Sequence, residues 1–293
     1  MPDQQCRFIF EKADIRGELV QLEHSFQTVL DNNPLPTCVQ QLLGQFLSAA
    51  SLLAATLKFD GILTLQARGS GALSMIMAEC THQQQVRAIA KLNEEIDPAT
   101  INDDNLQELM GPDGVLAIII EPDQGERYQG IVPLDAPDLA RCIEHYFQQS
   151  EQINTRIWLA CSEQQSAGLL LQALPKSHVA TDEDNEAHWQ TARHLVATVK
   201  DQELLELTPD TLVYRLLNEF EIRLFPTTAI KFECSCSRER SGQALSALGE
   251  ADVLAMLKES DAIEIDCQFC HQHYQFTEQD LAELFPDSHH TLH

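Results

Sequence analysis

Positive charge is what this 293-residue sequence has least of: 19 Lys and Arg stand against 45 Asp and Glu, a formal net charge of −26. A surface so acidic repels phosphate backbones and anionic lipid, which argues against nucleic acid and membranes as partners. The opening stretch, "MPDQQCRFIFEKADIRGE", lacks the apolar run and cleavage site of a secretion signal. The most apolar stretch, Phe46 to Leu57, is broken by Ser and Thr and is short for a bilayer. A cytoplasmic protein is therefore expected. The common catalytic signatures are also missing, with no G-x-S-x-G, no P-loop and no H-E-x-x-H. The acidic run Glu94, Glu95 and Asp97 reads as solvated surface, and no turnover chemistry is expected. Internal repeats and Gly/Ser-rich tracts are absent too, which leaves solenoids and flexible linkers aside.

What is present reads first as a mixed α+β domain. The segment "CVQQLLGQFLSAASLLAATLKFDG" is apolar almost all round, as a central buried helix would be. Two strand-like runs in "GILTLQARGSGALSMIMAEC" flank Gly69-Ser70-Gly71, a hairpin signal. Further strands are expected at "VLAIIIE", "YQGIVPL", "TRIWLAC" and "GLLLQALP", with one helix, "APDLARCIEHYFQQS", among them. Strands in hairpin-length succession predict a largely antiparallel N-terminal sheet domain over residues 1–178.

Composition then shifts. Val179 to Asp210 holds eight acidic and two basic residues, and strand signals stop. Trp189, Ala192, Val196 and Val199 form an apolar stripe on a polar helix. Thr208-Pro209 reads as the start of another helix, "DTLVYRLLNEFEIRLF", with Val213, Leu216, Leu217, Phe220 and Leu224 on one face. Residues 179–232 are read as an amphipathic helical linker.

Four of the nine cysteines crowd into the remaining stretch, 233–293: Cys234 and Cys236 as C-x-C, then Cys267 and Cys270 as C-x-x-C. In a reducing compartment such clusters hold metals or sense oxidants more often than they form structural disulfides. The run "AIEIDCQFCHQHYQF" alternates into Cys267, turns, and alternates out through Tyr274 and Phe276, as a hairpin knuckle does. Thr277 with Asp280 resembles a capping box for a last helix, "EQDLAELF". Some 60 residues make a marginal core, and structural zinc contributes roughly 10–16 kcal/mol in small peptides. One Zn²⁺ on four thiolates keeps two net negative charges, which Lys231, Arg238 and Arg240 are near enough in sequence to offset. His271 or His273 could replace a sulfur, although four Cys suffice. A Cys234–Cys236 disulfide needs a local turn, because extended residues i and i+2 lie about 6.5–7 Å apart. Cys6, Cys38, Cys80, Cys142 and Cys161 are scattered among apolar residues and read as small hydrophobes.

Two rival readings of this region find little support. A nucleic-acid-binding zinc ribbon is opposed by charge, since residues 231–293 hold four basic and twelve acidic groups. A thiol oxidoreductase places its C-x-x-C at the start of a helix in a βαβ unit, not in a hairpin. An inert, constitutively zinc-stapled interaction module remains the alternative to a redox switch.

The two cysteine pairs within "FECSCSRER" and "CQFCHQHYQF" resemble the C-terminal switch of the redox-regulated 33-kDa chaperonins, a family of bacterial heat-shock holdases. The likeness extends to "GSGALSMIMAEC", "YQGIVPL" and the run from Tyr146 to Gln152, and so covers essentially the whole chain. Asn154 departs from it, where the family pattern has Pro. The resemblance implies a holdase that is idle when reduced and zinc-bound and active when oxidised, with one Zn²⁺ per reduced chain. It implies Cys234, Cys236, Cys267 and Cys270 as ligands, pairing on oxidation as Cys234–Cys236 and Cys267–Cys270. It also implies unfolding proteins as clients and a homodimer on activation. Val213, Leu216, Leu217 and Phe220 are then the candidate client or switch surface.

Overall fold

Helix formation in the first half is driven by one segment, Thr37–Thr56, whose apolar residues circle the whole axis and leave it no solvent face. The computed structural model describes residues 3–58, 60–102, 105–175, 181–280 and 284–285. It divides into two units, Met1–Glu233 and Cys234–His293.

The first unit begins with strands β1 (Gln4–Phe10) and β2 (Ile15–Leu22), helix α1 (His24–Asp31) and the apolar helix α2 (Thr37–Thr56). A meander follows: β3 (Gly61–Arg68), β4 (Leu73–Thr81) and β5 (Gln85–Leu92), then the short α3 (Leu106–Met110). Next come β6 (Val115–Pro122), β7 (Tyr128–Pro133), α4 (Leu139–Tyr146), β8 (Thr155–Cys161) and β9 (Ser166–Ala173). The unit closes with α5 (Asp182–Val196), α6 (Asp201–Glu206), α7 (Pro209–Leu217), β10 (Ile222–Leu224), β11 (Thr228–Ala229) and β12 (Lys231–Phe232).

These strands build two sheets, one in the order β10-β1-β2-β9-β8 with β11 also on β1, the other β12-β5-β4-β3-β6-β7. Pairing is antiparallel except for the short β12 on β5. Helix α2 packs against strands of both sheets. By length and composition it would pass for a membrane-crossing helix, yet most of it is buried in this core.

A buried helix must still satisfy its last carbonyls. No glycine ends α2; Leu57 leaves it in an extended conformation. Two arginines from the neighbouring sheet supply donors instead: Arg7 Nη2 to the carbonyl of Ala55, and Arg16 Nη1 to that of Thr56 at 3.3 Å. Fully buried Glu18 fixes Arg7, accepting from its Nε at 2.7 Å and from Gln5 Nε2 at 2.5 Å. Burial outweighs the attraction of Arg7 and Arg16 and pushes the Glu18 carboxyl up to about 7.

The first sheet is covered on both faces. Its outer face carries a second core in which Phe8, Phe10 and Leu169 meet Trp189, Ala192 and Val196 of α5. Polar bonds fasten this layer at two places. Asn185 and Asp14 bond reciprocally, side chain to backbone at 2.9 Å and side chain to side chain at 2.9 Å. Gln21 Nε2 donates to the carbonyls of Leu204 and Leu207. Residues 181–232, the described part of the expected linker, thus lie in the same compact unit as the sheets. The expected boundary at 178 falls on residues outside the described set.

Two helix readings need correction. The helix starting at Thr208-Pro209 stops at Leu217, and Leu224 belongs instead to β10, opposite Phe8. The edge of β1 offers that segment a hydrogen-bonded ladder, which outcompetes continued helix. The helix expected over 136–150 starts only at Leu139, capped by Asp138, and loosens into a wider π-type turn over Phe147–Glu151.

The second unit holds α8 (Arg238–Leu248), α9 (Glu250–Glu259), and the hairpin β13 (Ile263–Asp266) and β14 (His273–Phe276). Its buried core is small: Leu245, Val253, Ile263 and Phe276. Of the expected last helix, Glu278–Asp280 forms a 3₁₀ turn, and residues 281–283 lie outside the described set. Asp280 accepts from Thr277 N at 2.6 Å, the reciprocal half of the expected capping box.

Glu18 gives a pH dependence with a definite sign. Its folded value of about 7 lies above the ordinary 4.5, so between these pH values the folded chain holds a proton that the unfolded chain has released. Stability must fall as pH rises through that window, by an amount on the order of 3 kcal/mol. Denaturant unfolding of wild type and Glu18→Gln across that range checks this. The wild type should lose stability relative to the variant as pH rises; parallel curves would mean that Glu18 ionises as an exposed carboxylate does.

Candidate metal centre

The second unit brings Cys234, Cys236, Cys267 and Cys270 together, with all four sulfurs within 4.8 Å of one another. The C-x-x-C arm is shaped by its hairpin. After β13 the chain turns so that His271 N donates to the carbonyl of Cys267 at 2.8 Å and Cys267 N to that of Gln272 at 3.0 Å. The turn closes only because His271 takes the left-handed conformation, φ 55°, where glycine is the usual occupant. It aims backbone N–H groups of Phe269 and Cys270 at Cys267, and that of Gln272 at Cys270.

The C-x-C arm is shaped by the helix that follows. Ser237 caps α8, accepting from Arg240 N at 3.2 Å. The Arg240 guanidinium reaches back to the Ser235 carbonyl at 2.9 Å and its hydroxyl at 2.7 Å, which braces the residue between the two thiols. Across the arms, Cys234 and Cys267 sulfurs lie 3.6 Å apart, and Cys236 and Cys270 sulfurs 3.4 Å. A tetrahedron with metal–sulfur bonds of about 2.3 Å has edges of about 3.8 Å. The donor set therefore fits a tetrahedral thiophilic divalent cation such as zinc.

Two of the four thiols resist ionisation in these surroundings. Burial first, and the neighbouring thiols with it, push Cys270 well above the ordinary thiol range; burial also raises Cys267. A bound cation reverses this balance, because a coordinating thiol is deprotonated outright. Tyr274 also belongs to the site, its hydroxyl 3.1 Å from the Cys236 sulfur.

The remaining expectations sort by surroundings. Cys6, Cys80 and Cys142 are buried, and Cys38 and Cys161 are partly so. Burial pushes Cys6 and Cys142 up to about 11 and Cys161 to about 12, and raises Cys80 further still, so these thiols carry little thiolate. His271 and His273 are not part of the cluster, and His273 Nδ1 faces Asp266 at 2.8 Å. The three cations expected to offset the thiolates have other partners: Lys231 pairs with Glu233, Arg240 with Ser235, and Arg238 with Asp280 and the carbonyl of Gln275. Val213, Leu216 and Leu217 are buried in the second core of the first unit, where Phe220 packs edge-on against Phe10 at 5.0 Å. Sequence reasoning missed Tyr274 as a site residue. Its signal was its place four residues past Cys270, on the same strand face as Phe276.

Comparison with known proteins bears on the whole chain. The family described as Hsp33 protein matches residues 3–277. A 33 kDa chaperonin of Pseudomonas aeruginosa (strain LESB58) is 48% identical over 284 residues, covering 97% of this chain and 94% of its own length. One from Pseudomonas syringae pv. tomato is 47% identical over 281 residues, covering 95% and 92%. Among solved structures, the 33 kDa chaperonin (heat shock protein 33 homolog) of Thermotoga maritima matches with a TM-score of 0.80, covering 97% of this chain and 98% of that one. At 21% identity, that match speaks for the fold. The chain belongs to the Hsp33 family.

Proposed function

We propose that the chain is a redox-regulated holdase that binds unfolding proteins and keeps them from aggregating under oxidative stress. The observation that carries this is the four-thiol cluster, in a chain of this family. Cys234, Cys236, Cys267 and Cys270 are its proposed ligands for one zinc per reduced chain. Zinc, when bound, keeps the four sulfurs as thiolates and supplies stability that the small core of the second unit lacks.

Oxidation converts the four thiols to two disulfides, passing four electrons to two molecules of peroxide, which leave as water. We assign the pairs Cys234–Cys236 and Cys267–Cys270. The short sulfur approaches between the arms follow from gathering four sulfurs around one point. Once that point is lost, the local loops cost less entropy to close than one spanning 30 intervening residues. The second unit then unfolds, and the layer α5–α7 loosens from the first sheet. Apolar faces at Val213, Leu216, Leu217 and Phe220, with the sheet beneath them, become available to clients, while the acidic surface keeps the complex soluble. No turnover chemistry is involved. The working form is a homodimer on oxidation, acting in the cytoplasm, with neither nucleic acid nor membrane as partner.

Reduced protein should contain one zinc per chain, and Cys234→Ser should lower its affinity sharply, while Cys80→Ser leaves it unchanged. After peroxide treatment with mild heat, zinc should be released and peptide mapping should find the two local disulfides. Metal analysis without zinc, or a main product joining the two arms, contradicts the assignment.

The switch surface is tested by polar replacement. Leu216 and Leu217 are nearly fully buried, and changes of this kind cost roughly 2–5 kcal/mol each. Leu216→Ser/Leu217→Ser should suppress aggregation of a denatured client even when reduced and zinc-loaded, with faster proteolysis between Thr181 and Phe232. A reduced variant that stays idle and protease-resistant would place the off-state contact elsewhere.

A further inference from the structure

Strand β14 does more than close the hairpin. Its register sets Tyr274 opposite Ile265 and Phe276 opposite Ile263. Tyr274 and Phe276 therefore share a face, and both rings pack in the small core. Arg238, the first residue of α8, ties this strand down. Its guanidinium donates to the Gln275 carbonyl and to Asp280, and lies 4.5 Å over the Phe276 ring. With ring and strand both held, the Tyr274 hydroxyl comes to rest 3.1 Å from the Cys236 sulfur, two residues before Arg238. Core packing alone asks for a phenyl ring at this position. The hydroxyl has no part in that packing, and its hydrogen-bond partner is a sulfur of the cluster.

We propose that Tyr274 is a positioning residue for Cys236, whose hydroxyl donates to the thiolate and governs both metal retention and the rate of oxidation. This rests on the reading of the cluster as a metal-held switch. A hydrogen bond to a charged acceptor is stronger and more directional than one between neutral groups, so the hydroxyl holds the Cys236 sulfur in place beside the other three. The same bond draws electron density from sulfur and occupies one of its lone pairs. In the switch reaction a thiolate attacks the O–O bond of a peroxide. A sulfur–oxygen bond forms, the O–O bond breaks, and hydroxide leaves and is protonated to water. A second thiol then displaces water from the sulfenic acid to give the disulfide, so the two sulfurs together lose two electrons and the peroxide gains them. A thiolate whose lone pair is engaged by a donor is a poorer nucleophile in the first step. Tyr274 thus sets the oxidant threshold of the Cys236 arm.

The test is Tyr274→Phe in the full-length chain, which keeps the ring and removes only the donor. Reduced, zinc-loaded variant should surrender zinc to a chromophoric chelator with affinity lowered about tenfold or more, the range expected for loss of a partner to a ligating side chain. Peroxide should release its zinc several-fold faster, and alkylation mapped by mass spectrometry should speed up at Cys236 more than at Cys234. Thermal melting should match wild type far better than that of Tyr274→Leu, which loses the ring as well. Site-specific 3-fluorotyrosine at 274 strengthens the donor without changing its shape, and should slow peroxide-driven release. That reversal of direction has no counterpart in a packing role. Unchanged chelator competition and unchanged release rates in both variants would overturn the proposal. Failure of wild type to bind zinc would overturn the metal reading itself, a separate and recognisable result.

Discussion

Four sulfurs held within 4.8 Å of one another cannot all ionise unless something positive lies among them. Burial raises both Cys267 and Cys270, and at Cys270 the neighbouring thiols add to the rise. A divalent thiophilic cation removes both penalties at once, and in doing so creates the species an oxidant attacks. Stability and sensitivity therefore share one cause. Among its described residues the second unit buries only four apolar side chains, so gathering the sulfurs adds substantially to what holds it together. Its remaining order is polar and local: Ser237 capping α8, Arg240 bracing Ser235, Asp280 clamping Thr277 to Arg238.

The first unit is organised differently, around apolar surface in excess. Its first sheet is buried on both faces, inside by α2 and outside by α5–α7, so it carries two separate cores. Helix α2 is seated between the sheets, and the Arg7, Arg16 and Glu18 network completes its C-terminal end from the inner side. The outer layer rests on apolar packing and a few polar ties at Asp14 and Gln21.

The sequence was most legible where residues make purely local choices. The all-apolar helix, the Gly69-Ser70-Gly71 hairpin and the knuckle around Cys267 all stand where periodicity and turn residues placed them. Strands β1 and β2 escaped notice because Gln5, Arg7, Glu18 and Gln21 interrupt their apolar pattern. Those residues are polar because they face the C-terminal end of α2 and the outer helices, neither of which is visible from a window of ten residues. Leu224 fitted a helical stripe by spacing, and only the free edge of β1 made it a strand. At the metal centre all four thiols were legible from spacing, whereas the partners of Arg238 and Arg240 were not. A cation near a cysteine cluster in sequence says nothing of which carbonyl or carboxylate the fold sets closer.

The apolar character of the outer layer has a thermal consequence. Contacts of this kind are driven largely by water's entropy near room temperature, and they weaken on cooling, not on moderate warming. The attraction between α5–α7 and the sheet therefore weakens first on cooling, and moderate warming leaves that attraction largely intact. A chain built this way senses the chemistry of its surroundings through sulfur, and leaves temperature to decide how many clients are waiting.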